Sequence, residues 1–368
     1  MKFLIIPDSF KGSMTSKEFC FMAKSLIDKR GLGDVIAYPI ADGGEGTVEN
    51  IVEIFDGKML GGKVHDGNNF TINALYGVQG DTAYVAVANS SGLPNTLIKN
   101  PIFTTTYGMG EQIMQALNLK KKHIVLCLGG SSTNDCGAGM LAAMGVKFFD
   151  KDGNTFVPTG GTLKDIVSYD TTEFESNIKG VTFTALCDVT NPLYGEFGCS
   201  KIYARQKGAK DKDIEILEDN VKYFADLTSR QGLSPDTPGC GAAGGLGYAI
   251  LAFCKGNLIS GIEWFLNAIE FEKLAFDADY IVTGEGRLDN TSFMGKVVGG
   301  IVGRSRPLNK KITVFCGECK ASESTLNANP IESVNPLNKE GLTIEENIAR
   351  TKESFEEKFS AFLDRISK

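Results

Sequence analysis

The chain has 368 residues, beyond the size at which single hydrophobic cores usually stop growing, so two lobes are the default expectation. Hydrophobic content of 42% and charged content of 23% exclude a disordered or low-complexity protein. A net charge of −7 excludes nucleic-acid and anionic-membrane surfaces, which need clustered Lys and Arg, and leaves small molecules as partners.

The first element expected is a buried strand over residues 2–6. Thr15 followed by Glu18 is a capping box opening a helix with Phe19, Met22, Ala23, Leu26 and Ile27 on one face, ended by Lys29, Arg30 and Gly31. A second strand at 35–40 leads through a glycine-rich turn at 42–46 into a helix carrying Val48, Ile51, Val52 and Phe55. Strand and helix alternating at this spacing predict a parallel sheet covered by helices. Residues 56–88 read as a β-rich excursion with short strands at 70–76 and 83–88. The α/β pattern then resumes: a helix at 111–117, a strand at 123–128, a helix from about residue 133, and a hairpin whose turn is Lys151-Asp152-Gly153. Later strands are expected at 181–186, 280–282 and 312–315, a helix at 246–253, and a charged amphipathic helix at 344–367.

The apolar run at 3–7 is too short for a signal-peptide core, and no stretch approaches the ~18 apolar residues of a membrane span. Nine cysteines in apolar or glycine-rich contexts fit a reducing compartment, the cytoplasm. Cys316 and Cys319 form one CxxC; with only His65 and His123 elsewhere, a zinc set lacks partners, and histidine-based nucleophilic catalysis is disfavoured.

Polar motifs recur where expected strands end: Asp8, Asp42, residues 129–135, Asp188, Glu285 and Gly317. In open α/β sheets ligands bind at the carboxyl ends of strands, so this recurrence marks a site, although any one acid alone reads as a turn or cap residue. Asp8, Ser9 and Lys11 place a carboxylate, a hydroxyl and an ammonium in one loop. Asp42 and Glu45 lie among three glycines, a setting for close backbone approach to an anion. Ser131, Ser132, Thr133, Asn134 and Asp135 offer hydroxyl, amide and carboxylate groups at a helix start. Further along stand Asp188 with Asn191, then Gln206 and Lys207, and the glycine loop with Gly244 and Gly245. Gly284, Glu285, Arg287, Asp289 and Lys296 complete the set. The 239–244 loop matches GxGxxG but follows no strand, and no Walker loop occurs, so neither dinucleotide nor P-loop binding is expected. Carboxylates ~4 Å from a polyphosphate would be repelled by roughly 4 kcal/mol at an effective dielectric near 20. A divalent cation must intervene, and oxygen ligands point to Mg²⁺.

PDSFKGS at Pro7, ADGGEGT at Ala41, TTYGMGE at Thr105, GGSSTND at Gly129, CDVTNPLYG at Cys187, GCGAAGGLG at Gly239 and GEGRLD at Gly284 resemble the bacterial glycerate kinases of the type-1 family. The likeness runs from residue 1 to about 317. It implies ATP-dependent phosphorylation of glycerate, 2-phosphoglycerate as product, and an α/β fold with a flavodoxin-like lobe and an inserted α/β lobe. The lobes are expected at 1–65 plus 275–368 and at 66–274, with the active-site cleft between them. Cys136 and Cys240 replace the family's usual small residues, and the end beyond Cys316 lacks its PGP turn, carrying Val334-Asn335-Pro336-Leu337 instead.

The roles expected are Asp8 and Asp188 as base and metal carboxylates in either order, Lys11 on the transferred phosphoryl group, and Arg287 on the glycerate carboxylate. Asp42, Glu45, Glu285 and Asp289 are expected at Mg²⁺. Ser9, Ser131, Ser132, Thr133, Asn134, Asp135, Asn191, Gln206, Lys207, Gly244, Gly245, Gly284 and Lys296 are expected at substrate or phosphate. Kinases of tartronate or a longer aldonate, and a non-catalytic sugar-acid sensor, are the alternatives. The sequence leaves room for a homodimer.

Overall fold

In the computed structural model, residues 1–10, 12–40, 46–229, 233–293 and 295–368 are described. Lys11, Asp42 and Glu45, three of the residues expected at the site, lie outside them. The chain divides into two units, Met1–Asp42 with Gly261–Lys368, and Gly43–Ser260.

The first unit is built on five parallel strands in the order Ile331–Pro336, Ile312–Cys319, Tyr280–Leu288, Lys2–Ile5, Asp34–Ala37. Thr15 caps the helix Ser16–Arg30 with both capping-box hydrogen bonds in place, and Gly31 ends it in the left-handed conformation. The helix Ile344–Ile366 buries Phe355, Phe359, Phe362 and Leu363, the i, i+4, i+7, i+8 stripe of an amphipathic helix. These rings pack with Phe19 and Phe315; the Phe19 and Phe355 centroids are 4.4 Å apart. Each buried phenylalanine is worth about 1.5–3 kcal/mol of transfer free energy, so the divergent end of the chain is anchored through this cluster.

The second unit carries six strands in the order Asn257–Ile259, Thr182–Leu186, His123–Cys127, Thr82–Ala86, Thr71–Gln79, Lys58–His65. The first four are parallel and the last two antiparallel. The β-rich excursion is thus the antiparallel margin of a mixed sheet. A small antiparallel sheet of Thr155–Phe156, Lys147–Phe149 and Ser168–Asp170 contains the expected hairpin.

Several boundaries differ from expectation. A division at 65/66 would cut the hairpin that pairs Lys58 with Val78 through His65 with Thr71, so the second unit starts earlier. A division at 274/275 would cut the helix Phe271–Asp277, and Ile262 of the helix Gly261–Ala268 packs against Gly300, so the first unit resumes earlier too. The strand expected at 280–282 continues to Leu288, because its neighbour continues to Cys319 and the two pair along their length. The CxxC therefore lies in a strand. The helix expected from residue 133 begins at Ala138: Cys136 and Gly137 both have positive φ, 51° and 70°, which no helix accommodates.

Candidate active site

In the first unit the chain leaves the strand Lys2–Ile5 at Asp8, whose N–H donates to the Gly284 carbonyl at 2.8 Å. That bond ties two neighbouring strand exits and sets Asp8 beside Glu285. Glu285 is 7% exposed, and its Oε1 is buried without a hydrogen-bond partner among the described residues. Burial pushes its carboxyl up to about 7; Asp8 and Asp289 push the same way, while the Ser292 hydroxyl and Lys296 oppose them. Asp289 accepts from Thr291 N–H at 2.8 Å and Thr291 Oγ1 at 2.6 Å, bonds that hold its own carboxyl below the usual range. Arg287 is exposed and 3.8 Å from Asp289, and exposed Lys296 donates to Thr291 Oγ1 at 3.1 Å. Ser9 donates its N–H to Asp8 Oδ1 at 2.6 Å. At Gly284 a Cβ would meet the Phe315 carbonyl oxygen at 2.6 Å and the Phe19 ring at 2.9 Å, so only glycine lets these elements close up.

In the second unit residues 129–135 follow the strand His123–Cys127. Lys207, 3% exposed, donates from Nζ to Ser131 Oγ at 2.8 Å and to the Thr133 carbonyl at 2.7 Å. Burial pushes its ammonium down to about 8, against the opposing influence of Cys199 and Asp135. Thr133 Oγ1 and Asn134 Oδ1 are buried without partners, while Asn134 Nδ2 donates to Ser200 Oγ at 3.0 Å. Ser132 is committed internally, accepting from Thr96 Oγ1 at 2.7 Å and donating to the Ser91 carbonyl at 2.9 Å.

Asp135, expected at a ligand, organises the loop. It is fully buried, and its oxygens accept from Thr106 N–H and Oγ1, Gly137 N–H and Gly139 N–H at 2.7–3.2 Å. Burial raises its carboxyl while those hydrogen bonds hold it down. Gly244 and Gly245 also serve the loop from behind. Both have positive φ, 72° and 92°; a Cβ on Gly244 would run into the Thr133 carbonyl, and one on Gly245 would lie 2.8 Å from Cys136 Cα.

Asp188 is exposed just past the strand Thr182–Leu186, its Oδ1 accepting from Ser260 Oγ at 3.0 Å. Asn191 anchors the following segment by donating to the Phe197 carbonyl at 2.8 Å and accepting from Tyr203 OH at 2.6 Å. Gln206 is exposed.

Other polar groups escaped the sequence reading. Ser90 and Ser91, in the helix Val87–Ser91 after the strand Thr82–Ala86, are fully buried with unpartnered hydroxyls. Glu49, in the helix Thr47–Ile54, has a buried, unpartnered Oε2, and it acts with Asp188 on Cys127, whose thiol burial first and then these acids push up to about 12. The strand-exit rule could have found the serines; nothing in the local pattern marks Glu49.

Among the described residues no three His, Cys, Asp or Glu side chains are grouped to hold a metal ion. Mg²⁺ does not require three: it keeps several waters and takes one or two carboxylates plus phosphate oxygens. Asp8 and the orphaned Glu285 fit that need. The nine cysteines are free thiols, and no helix among the described residues is long and apolar enough to cross a membrane.

Comparison with known proteins agrees with this architecture. A glycerate kinase from Bacillus cereus is 38% identical over 369 aligned residues, covering 97% of this chain and 95% of the relative. A glycerate 2-kinase from Escherichia coli is 35% identical, covering 91% and 90% respectively. The crystal structure of a candidate glycerate kinase 2 from Salmonella typhimurium superposes with a TM-score of 0.86 at 34% identity, covering 100% of this chain and 99% of the other. The glycerate kinase family profile matches residues 3–367, and the chain belongs to that family of kinases.

Proposed function

We propose that the chain transfers the γ-phosphoryl group of Mg-ATP to D-glycerate, giving 2-phosphoglycerate, in the cytoplasm. One observation carries the reading: Glu285, buried beside Asp8 with an unpartnered oxygen and a carboxyl raised to about 7. A buried acid crowded by a second one costs stability unless a cation compensates it, and such sites are functional more often than structural. Asp8 and Glu285 would hold Mg²⁺, which when bound neutralises polyphosphate charge.

Asp188 suits the base. It is solvent-accessible and oriented by the Ser260 hydroxyl, so it can accept the substrate hydroxyl proton as the bond to phosphorus forms. Exposed Arg287 can bind the glycerate carboxylate bidentately, and Lys296 can meet a phosphate oxygen. Ser131, Thr133 and Asn134 supply neutral donors and acceptors to anionic oxygens. Membership of the family supports ATP as donor, and the name of the Escherichia coli relative supports the 2-hydroxyl as acceptor. The nine free thiols support a reducing compartment.

The test is ADP release by the purified protein with Mg-ATP and, separately, D-glycerate, tartronate and a longer aldonate. Turnover preferring D-glycerate is expected. Preference for another acid would move the substrate assignment, and acid binding without turnover with any of them would overturn the kinase reading.

A further inference from the structure

Lys207 is a cation taken out of water, and its direct hydrogen bonds go to neutral groups. Among the described residues no carboxylate pairs with it, and its Nζ is held by two neutral acceptors, Ser131 Oγ and the Thr133 carbonyl. Isolated buried charge is expensive, and proteins keep it where a ligand supplies the counter-charge. On the loop it holds, Thr133 Oγ1 and Asn134 Oδ1 are buried with no hydrogen-bond partner among the described residues. Asp135 acts on Lys207 through space, while its oxygens accept from Thr106, Gly137 and Gly139. The charge and the orphaned groups thus share one short loop.

We propose that Lys207 is a positioning residue for an anionic ligand oxygen bound at residues 131–134: it fixes Ser131 and the Thr133 carbonyl, and its charge sets the loop's preference for anions. The proposal rests on the reading that this loop meets substrate oxygens. A carboxylate of the hydroxy acid and a phosphate of the nucleotide share the required chemistry, and the experiment separates them.

The pH dependence has a defined sign. Lys207 is protonated below about pH 8 and neutral above it. The other titratable groups facing it are Cys199, whose thiol burial keeps up at about 11, and Asp135, whose carboxyl burial raises against its hydrogen-bond donors. Cys199 stays neutral as pH rises from 7 to 9, so loss of the Lys207 proton should lower anion affinity through this window, and a fall that persists in a variant without the lysine belongs to Asp135 instead.

The experiment is isothermal calorimetry of D-glycerate and, separately, of ATP on the full chain from pH 6.5 to 9.5, for wild type, Lys207→Met and Lys207→Arg. Wild type should lose affinity for one of the two ligands above pH 8, which identifies the bound group. Lys207→Met should bind that ligand about tenfold or more weakly at pH 7 with no such fall, and Lys207→Arg should bind it with the fall abolished, since arginine stays charged. Flat wild-type affinity for both ligands overturns the proposal whether or not a variant folds, as does a folded Lys207→Met that binds like wild type, or a wild type that binds neither. Binding with the expected pH fall but without turnover sinks the kinase reading and leaves this proposal standing.

Discussion

The main-chain N–H of Asp8 donates to the carbonyl of Gly284 at 2.8 Å, and through that bond two acids from distant parts of the sequence, Asp8 and Glu285, are held side by side. The resulting strain is electrostatic, and it has measurable consequences.

Replacing Glu285 by Gln should stabilise the metal-free protein while removing activity. Because the folded state raises this carboxyl to about 7 from an ordinary 4.5, it holds a proton the unfolded chain has lost. Stability is therefore present below about pH 4.5 and declines as pH rises through 7. At pH 8 the Gln variant should gain on the order of 1–3 kcal/mol in urea unfolding, with little difference from wild type at pH 4.5. Turnover should fall about 10²–10³-fold. Lower stability at pH 8 would contradict the assignment.

Asp188→Asn should leave stability within about 0.5 kcal/mol, since the residue is exposed and the Ser260 hydroxyl can still donate to the amide oxygen. Its kcat should drop roughly 10²–10⁴-fold with KM for ATP little changed, the signature of a lost general base. A variant retaining most of its kcat would remove Asp188 from that role.

For Asp135→Asn the order reverses. An amide keeps one acceptor oxygen and sets NH₂ in place of the other, against either the Gly137 N–H or the N–H groups of Thr106 and Gly139, so unfolding free energy should fall by about 2–4 kcal/mol. Urea denaturation checks this. Full stability with reduced activity would mean that Asp135 meets ligand after all.

Gly244→Ala combines a positive φ with a collision against the Thr133 carbonyl, whereas Gly153→Ala, at φ 79° in an open turn, has only the first penalty. The first should cost at least 2 kcal/mol more than the second, which itself costs about 1–2 kcal/mol. Equal costs would show that Gly244 does not buttress the loop.

The elements most legible in the sequence are those whose signals are local. Thr15 with Glu18 and Gly31 bounded the first helix correctly because capping depends on residues within one turn. The charged amphipathic pattern of residues 344–367 announced the last helix in the same way. What failed depended on partners far along the chain. The GEGRLD run reads as a loop until the strand Ile312–Cys319 pairs beside it, and the hydrogen bonds from Thr106 to Asp135 cannot be read from either motif. Gly244, Gly245 and Gly284 were expected at substrate or phosphate; what the structure adds is that neighbouring protein atoms lie where their Cβ atoms would be. Lys207 stands between these cases: a basic residue near a motif is visible in sequence, but its burial and its hold on Ser131 are not.

Proton-coupled ³¹P NMR of a reaction containing wild-type protein, Mg-ATP and D-glycerate tests phosphoryl transfer most directly. The expected product is a phosphomonoester whose phosphorus couples to one methine proton and appears as a doublet, with ADP formed in equal amount. A triplet from two methylene protons would place the phosphate on the 3-hydroxyl, and the absence of any new phosphomonoester would contradict glycerate phosphorylation altogether.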